Sequence, residues 1–119
     1  MDVKQVENVY KQHSLSSLPP RKLILWMVEE ASKALGKGKR AIEEKNKVEQ
    51  NKQIQITQQL ILEIIPLVNN SIETGKILTA ILDFMNRRLI EANIKQDSTI
   101  LVEIESLLLQ FKLILIEEK

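Results

Sequence analysis

Side chains that commonly carry catalysis or bind metals are scarce in this sequence. His13 is the single histidine and there are no cysteines, which excludes thiol catalysis, zinc ribbons and iron–sulfur clusters. A di-iron site in a helical bundle needs a histidine from each of two helices, and one histidine cannot supply both. Adjacent glutamates such as Glu43 and Glu44 point to different faces of a helix and are best interpreted as solvated charge. We therefore expect no enzymatic activity, no cofactor and no metal site.

Two short segments superficially resemble motifs that bind or transfer phosphate. The stretch Gly36-Lys37-Gly38-Lys39-Arg40 resembles a phosphate-binding loop, but it follows a helical pattern rather than a strand and lacks the full spacing. A histidine-phosphotransfer domain presents its histidine on a bundle helix, whereas His13 lies upstream of the first predicted helix. A phosphotransfer protein remains one alternative hypothesis. It fails if His13 can be replaced without loss of function.

Composition and charge limit the kinds of partner. The 119 residues include 17 basic and 16 acidic ones, a formal net charge of +1, so no long-range field would attract the phosphates of nucleic acid. The densest apolar run, residues 107–116, has about half the length needed to cross a bilayer. The sequence thus predicts a soluble, cytoplasmic protein that neither binds nucleic acid nor inserts into a membrane.

The spacing of apolar residues predicts long helices. Only three glycines and three prolines interrupt the chain, and apolar residues recur at spacings of three and four from Pro20 onward. Asn69 and Asn70 form a turn, Pro66 should end the second helix early, and Asp97 can cap the fourth. We predict an all-α, antiparallel up-and-down four-helix bundle over 20–119, preceded by a short N-terminal arm, 1–19. The predicted inward stripes are Ile24, Met27, Val28, Ala31, Ala34, Leu35, Ala41 and Ile42; Ile54, Thr57, Ile61, Ile64, Ile65 and Val68; Leu78, Ile81, Leu82, Met85, Leu89 and Ala92; and Leu101, Ile104, Leu108, Phe111 and Leu115.

The fourth predicted helix has more apolar residues than one inward face can hold. Eight of the ten residues from 107 to 116 are apolar, so they occupy every side of the helix. In a four-helix bundle no helix is central, and the surplus side should be an exposed apolar strip. Such strips usually mark the binding site of a partner.

The third predicted helix contains the most specific similarity to a known family. Residues 84–97 read FMNRRLIEANIKQD, which resembles the characteristic segment of the flagellar secretion chaperone family FliS. Weaker similarity extends over nearly the whole chain, including Tyr10 in the arm. Leu82 and Phe84 stand where the family usually has two tyrosines.

The resemblance implies a function in flagellar protein export. FliS proteins are antiparallel helical bundles that bind the disordered C-terminal segment of flagellin in apolar grooves, prevent its premature polymerisation and present it to the export gate. In this family the N-terminal arm covers part of the groove until the client displaces it. The residues that we predict to contact the client are Tyr10 in the arm, Ile77, Ile81 and Phe84 on helix three, and Leu107, Phe111 and Ile114 on helix four.

Several alternatives to these assignments remain open at this stage. Each apolar residue on helices three and four could instead belong to the core, because a sequence does not say which stripe faces inward. The chaperone could serve a different exported client. From another class, a self-associating structural bundle would bury the surplus strip in a homodimer, whereas the chaperone is expected to be a monomer or a weak homodimer.

Overall fold

Four long helices make up the part of the chain that the structure describes. The computed structural model describes residues 19–117, and within them it contains no strand. The helices are α1 (Pro20–Glu43), α2 (Lys47–Ile64), α3 (Glu73–Lys95) and α4 (Ser98–Glu117), and a 3₁₀ turn, Ile65–Leu67, follows α2. The predicted arm lies outside the described residues, apart from its last residue. No helix within 19–117 is both long and apolar enough to span a membrane.

Local sequence signals fix the ends of these helices. Pro20 is in the first turn of α1, where its missing N–H is not needed. Pro66 ends α2 in the 3₁₀ turn, as its lack of a backbone donor predicts. Gln96 ends α3 in a left-handed conformation with φ of 53°. The next residue, Asp97, accepts the backbone N–H of Thr99 at 2.9 Å and so caps α4, as predicted.

The helices form a ring in which consecutive helices pack against each other, and α4 closes the ring against α1. Near the start of α1, Arg21 Nη2 donates to the backbone carbonyls of Leu115 (2.6 Å) and Ile116 (2.5 Å) at the end of α4. Near the opposite end, Lys39 of α1 pairs with Glu105 of α4 at 3.1 Å. The two helices are therefore antiparallel, and the predicted up-and-down four-helix bundle is confirmed.

The core is almost wholly aliphatic and follows the predicted stripes. Of the predicted inward positions, only Ile42, Ile65 and Ile81 are half-buried rather than buried. Phe111, Met27 and Leu35 are among the largest side chains that are completely enclosed. The helical period thus identifies the inward face of every helix, because burial of that face is what stabilises the bundle.

Gly75 allows the connection between α2 and α3 to lie close to α3. A Cβ atom built at this position would be 1.7 Å from the backbone oxygen of Asn69. No side chain larger than hydrogen fits there without a shift of the backbone. By contrast, a Cβ at Gly36 on α1 would meet no atom within 4 Å. Glycine is therefore required at position 75 but not at position 36.

Candidate binding surface

The described residues contain no cluster of side chains that could bind a metal ion. Residues 19–117 include no group of three or more histidine, aspartate or glutamate side chains that could hold a metal ion. His13 and Tyr10 lie outside the described residues. The exposed apolar surface of the described residues is the candidate binding site.

One apolar stripe lines the junction of α3 and α4. Ile77 is 49% exposed and Phe84 is 42% exposed, and Ile81 between them is half-buried. On α4, Leu107 and Ile114 are also half-buried and pack against the edge of the core. We call these five residues the α3–α4 stripe.

An ion pair shows that both halves of the α3–α4 stripe face the same junction. Arg88, four residues after Phe84 on the same side of α3, donates from Nη2 to Glu103 Oε2 of α4 at 2.6 Å. Because α3 and α4 run in opposite directions, the residue one turn before Arg88 on α3 lies opposite the residue one turn after Glu103 on α4. Phe84 therefore lies opposite Leu107, and the stripe continues from there towards Ile77 and Ile114.

Phe111, which was predicted to contact the client, belongs to the core. Its exposed fraction is 0%, and it continues the inward spacing of Ile104, Leu108 and Leu115 along α4. Leu107 and Ile114 lie on the flank of that inward face and remain accessible. A partner in contact with this structure would not reach Phe111, so it is not part of the α3–α4 stripe.

A second apolar strip on α4 was not assigned from the sequence. Val102, Leu109, Leu113 and Ile116 are each about half exposed and recur at spacings of seven, four and three. We call them the α4 outer strip. Ion pairs of Lys39 with Glu105 and of Lys112 with Glu29 join α4 to α1 on this side. The strip therefore lies on the outward side of α4, next to these ion pairs with α1 and away from the α3–α4 stripe.

The signal for the α4 outer strip was present in the sequence. The surplus of apolar residues from 107 to 116 predicted an exposed strip, and α4 does carry one. The sequence did not show on which side of α4 helix α1 packs. Without that knowledge, the exposed residues of α4 could not be distinguished from those that face α3.

Charged side chains close one end of the α3–α4 stripe. Arg88 bridges Glu91 of its own helix and Glu103 of α4, and these partners raise its pKa, with the hydrogen bond to Glu103 as the largest cause. Hydrogen bonds from Lys95 and then from Arg88 lower the pKa of Glu91. Arg88 and Glu91 therefore stay charged at neutral pH, and the accessible apolar surface begins at Phe84.

A cavity of about 220 Å³ opens at the other end of the bundle. Its wall is mostly apolar and includes Pro20 of α1, Ile72 and Leu78 around the start of α3, and Leu115 of α4. Since Pro20 begins α1, the chain upstream of it joins the bundle beside this cavity. The cavity is at the same end as Ile77 and Ile114.

Comparison with known proteins identifies related sequences. The family model described as flagellar protein FliS matches residues 3–114. A curated relative, the flagellar secretion chaperone FliS of Bacillus subtilis (strain 168), is 30% identical over 112 residues, which cover 94% of this chain and 84% of the relative. The match therefore includes all of α1, α2 and α3 and most of α4.

Proposed function

Because this chain belongs to the FliS family of flagellar proteins, we propose that it is a cytoplasmic export chaperone that binds the disordered C-terminal segment of flagellin. In this role it prevents premature polymerisation of the client and presents it to the flagellar export gate. It acts by binding and not by catalysis. The observation that carries the proposal is the accessible apolar surface of α4, which includes the α4 outer strip and its half of the α3–α4 stripe.

The α3–α4 stripe suits a helix-in-groove mode of binding. Ile77 and Phe84 are seven residues apart, or about two helical turns, and Leu107 and Ile114 repeat that spacing on the facing helix. A short amphipathic helix of the client would place apolar residues of the same period between them. Because ordering a disordered segment opposes binding, affinity requires a long buried surface. The α4 outer strip can extend the contact beyond a single groove.

We further propose that the N-terminal arm, through Tyr10, covers part of this surface in the free protein. Pro20 lines the end cavity, so the arm joins α1 at the end of the bundle that also carries Ile77 and Ile114. Removing residues 1–13 should strengthen client binding or increase the fluorescence of a dye that binds apolar surface. Unchanged affinity together with unchanged fluorescence would contradict this role.

The direct test is isothermal titration of the purified full chain with a peptide of roughly the last 40 residues of the same organism's flagellin. We expect saturable one-to-one binding with a negative heat-capacity change, the mark of apolar burial. Absence of binding by a folded monomer would contradict flagellin as the client and favour a different exported protein. Light scattering without client completes the test, because a tight obligate dimer that buries the α4 outer strip would favour the self-associating bundle.

A further inference from the structure

The outward face of α4 has the spacing of a coiled-coil seam. Its exposed residues follow one another at intervals of four, three, four and three: Val102, Ser106, Leu109, Leu113 and Ile116. This alternation is the heptad repeat by which two helices pack along a shared seam. Four of the five positions are the aliphatic residues of the α4 outer strip.

Helix α1 shows the usual composition of a solvent-facing side in this bundle. After Pro20, its exposed residues are all charged or polar: Lys22, Glu29, Ser32, Lys33, Lys37, Arg40 and Glu43. Such a polar outer face is typical of a helix that packs through one side only. The outward face of α4 therefore has the composition of a helix that packs on two sides.

Charges beside the α4 outer strip are complementary for two copies of this chain. Glu105 and Lys112 lie on the flank next to α1, and their side chains are 34% and 35% exposed. They stand four residues before and three residues after Leu109. A two-fold axis at Leu109 that makes two α4 helices antiparallel therefore places Glu105 of each copy opposite Lys112 of the other. Each new pair would join the existing pairs with Lys39 and Glu29 into a row of alternating charge.

The same axis matches the apolar residues along the seam. Val102 and Ile116 are each seven residues from Leu109, so each lies opposite the other in the second copy. Ser106 lies opposite Leu113, which places a small side chain against a large one. Leu109 lies opposite its own equivalent. The antiparallel pairing thus buries all four aliphatic residues of the strip in both copies.

The flank of the seam next to α3 is compatible with this pairing. Gln110 lies opposite its own equivalent, and two amides can hydrogen-bond to each other. Glu103 comes near Glu117 of the second copy, but the carboxylate of Glu103 is already paired with Arg88 at 2.6 Å. A parallel pairing would instead set Glu105 beside Gln110, where it gains no opposite charge. The charges therefore favour the antiparallel arrangement.

We propose that two copies of this chain associate reversibly through their α4 outer strips, antiparallel and with the two-fold axis at Leu109. Each half-exposed aliphatic side chain offers roughly 50 Å², so the eight of them in two copies cover roughly 400 Å² of apolar surface. Stable complexes bury about 1,200–2,000 Å² in total, so we expect a weak dimer with a Kd on the order of 100 µM. Such a dimer dissociates in dilute solution and differs from a tight obligate one. The pairing does not depend on the identity of the client, and a client segment that reaches the strip would compete with the second copy.

The test is sedimentation equilibrium of the full chain without client, from about 10 µM to about 1 mM. We expect the average mass to rise from that of one chain towards that of two. Leu109→Glu should remain a monomer throughout, because it places two carboxylates at the axis. The matched control Leu62→Glu, at a similarly exposed position of α2, should dimerise as the original chain does. A monomeric original chain at the highest concentration, or equal losses in the two variants, would overturn the proposal.

Charge-reversal variants test the pairing of Glu105 with Lys112. Glu105→Lys and Lys112→Glu should each dimerise roughly tenfold more weakly, because each homodimer brings like charges together. An equimolar mixture of the two variants should dimerise again, since both contacts of the heterodimer then join opposite charges. Circular dichroism of each variant checks that the bundle remains folded. A mixture that associates no better than the separate variants would refute this pairing.

Single cysteines test the direction of the two helices, because the chain has none of its own. Leu109→Cys should form a disulfide between two copies on oxidation. Val102→Cys should not cross-link to itself, because its equivalent lies roughly 21 Å away along the antiparallel seam, far beyond the reach of a disulfide. It should cross-link when mixed with Ile116→Cys. Efficient cross-linking of Val102→Cys to itself would indicate a parallel pairing and overturn the proposed geometry.

Discussion

Replacement of Phe84 by alanine is the sharpest test of the α3–α4 stripe, because the exposed part of this side chain sets the expected loss of affinity. A phenylalanine buries about 200 Å² when fully enclosed, and 42% of Phe84 is exposed. Roughly 85 Å² of its surface is therefore available to a bound client. At about 25 cal/mol per Å², covering it contributes about 2 kcal/mol, or roughly a 30-fold change in Kd.

Ile77 supplies a second, smaller contribution. Burying a whole isoleucine stabilises by about 2 kcal/mol, and since Ile77 is 49% exposed, its share is about 1 kcal/mol. The double variant Ile77→Ala, Phe84→Ala should therefore bind roughly 100-fold more weakly, with complete coverage as the upper limit. The buried part of Phe84 also contributes to folding, so the variant should unfold at a lower temperature while remaining folded at 25 °C.

The assay is isothermal titration of each variant with the flagellin peptide, paired with thermal unfolding followed by circular dichroism. Leu62→Ala is the matched control, since Leu62 on α2 is about as exposed as Ile77 and lies on neither apolar strip of α4. The control should keep its affinity. If the double variant binds as tightly as the original chain, or if Leu62→Ala loses as much, the α3–α4 stripe is not the client surface.

Four further predictions concern stability. Phe111→Ala should lower the free energy of unfolding by about 3–5 kcal/mol in a denaturant titration, because the side chain is fully buried. Gly75→Ala should destabilise the protein strongly, because the new Cβ atom would contact the backbone of Asn69. Gly36→Ala, where a Cβ atom meets open space, should stabilise it by about 0.5–1 kcal/mol. Similar melting temperatures of the two variants would refute this difference. Gln96→Gly should raise the stability by about 1 kcal/mol, since glycine adopts a left-handed φ without a Cβ clash. Hydrogen bonds at the cap of α4 lower the pKa of Asp97. The ionised Asp97 therefore stabilises the fold above its unfolded pKa of about 4, and this stabilisation is lost as the pH falls through the folded pKa. The difference in stability between the original chain and Asp97→Asn should therefore shrink on acidification and disappear at the lowest pH.

The sequence was sufficient for the helices and their inward faces because those follow from local periodicity. The spacing of Leu101, Ile104 and Leu108 places them on one face of α4, and the helix can pack against a core only through that face. Pro66 and Asp97 act on the backbone within a few residues of themselves, so their effects could be predicted without a partner helix. Each of these inferences concerns one helix at a time.

Assignment of the outer surface required knowledge of neighbouring helices. Phe111 fits the inward phase of α4, but it also lies in a run that is apolar on every side, and its burial depends on where α1 and α3 pack. The exposure of Leu109 and Leu113 depends on the same arrangement. Val48 and Ile94 are far apart in sequence, and the depression that they share exists only because α2 and α3 are antiparallel neighbours.

The ion pairs beside α4 bear on the shape of the client as well as on the fold. Lys39 with Glu105, and Lys112 with Glu29, border the α4 outer strip, and Arg88 with Glu103 ends the α3–α4 stripe. Covering these charges with an apolar segment would remove them from water at a cost that such a segment does not offset. Each apolar surface is therefore limited to a few helical turns. A client that used both would bind as short helices joined by turns, because one long apolar helix would have to cross the charged positions.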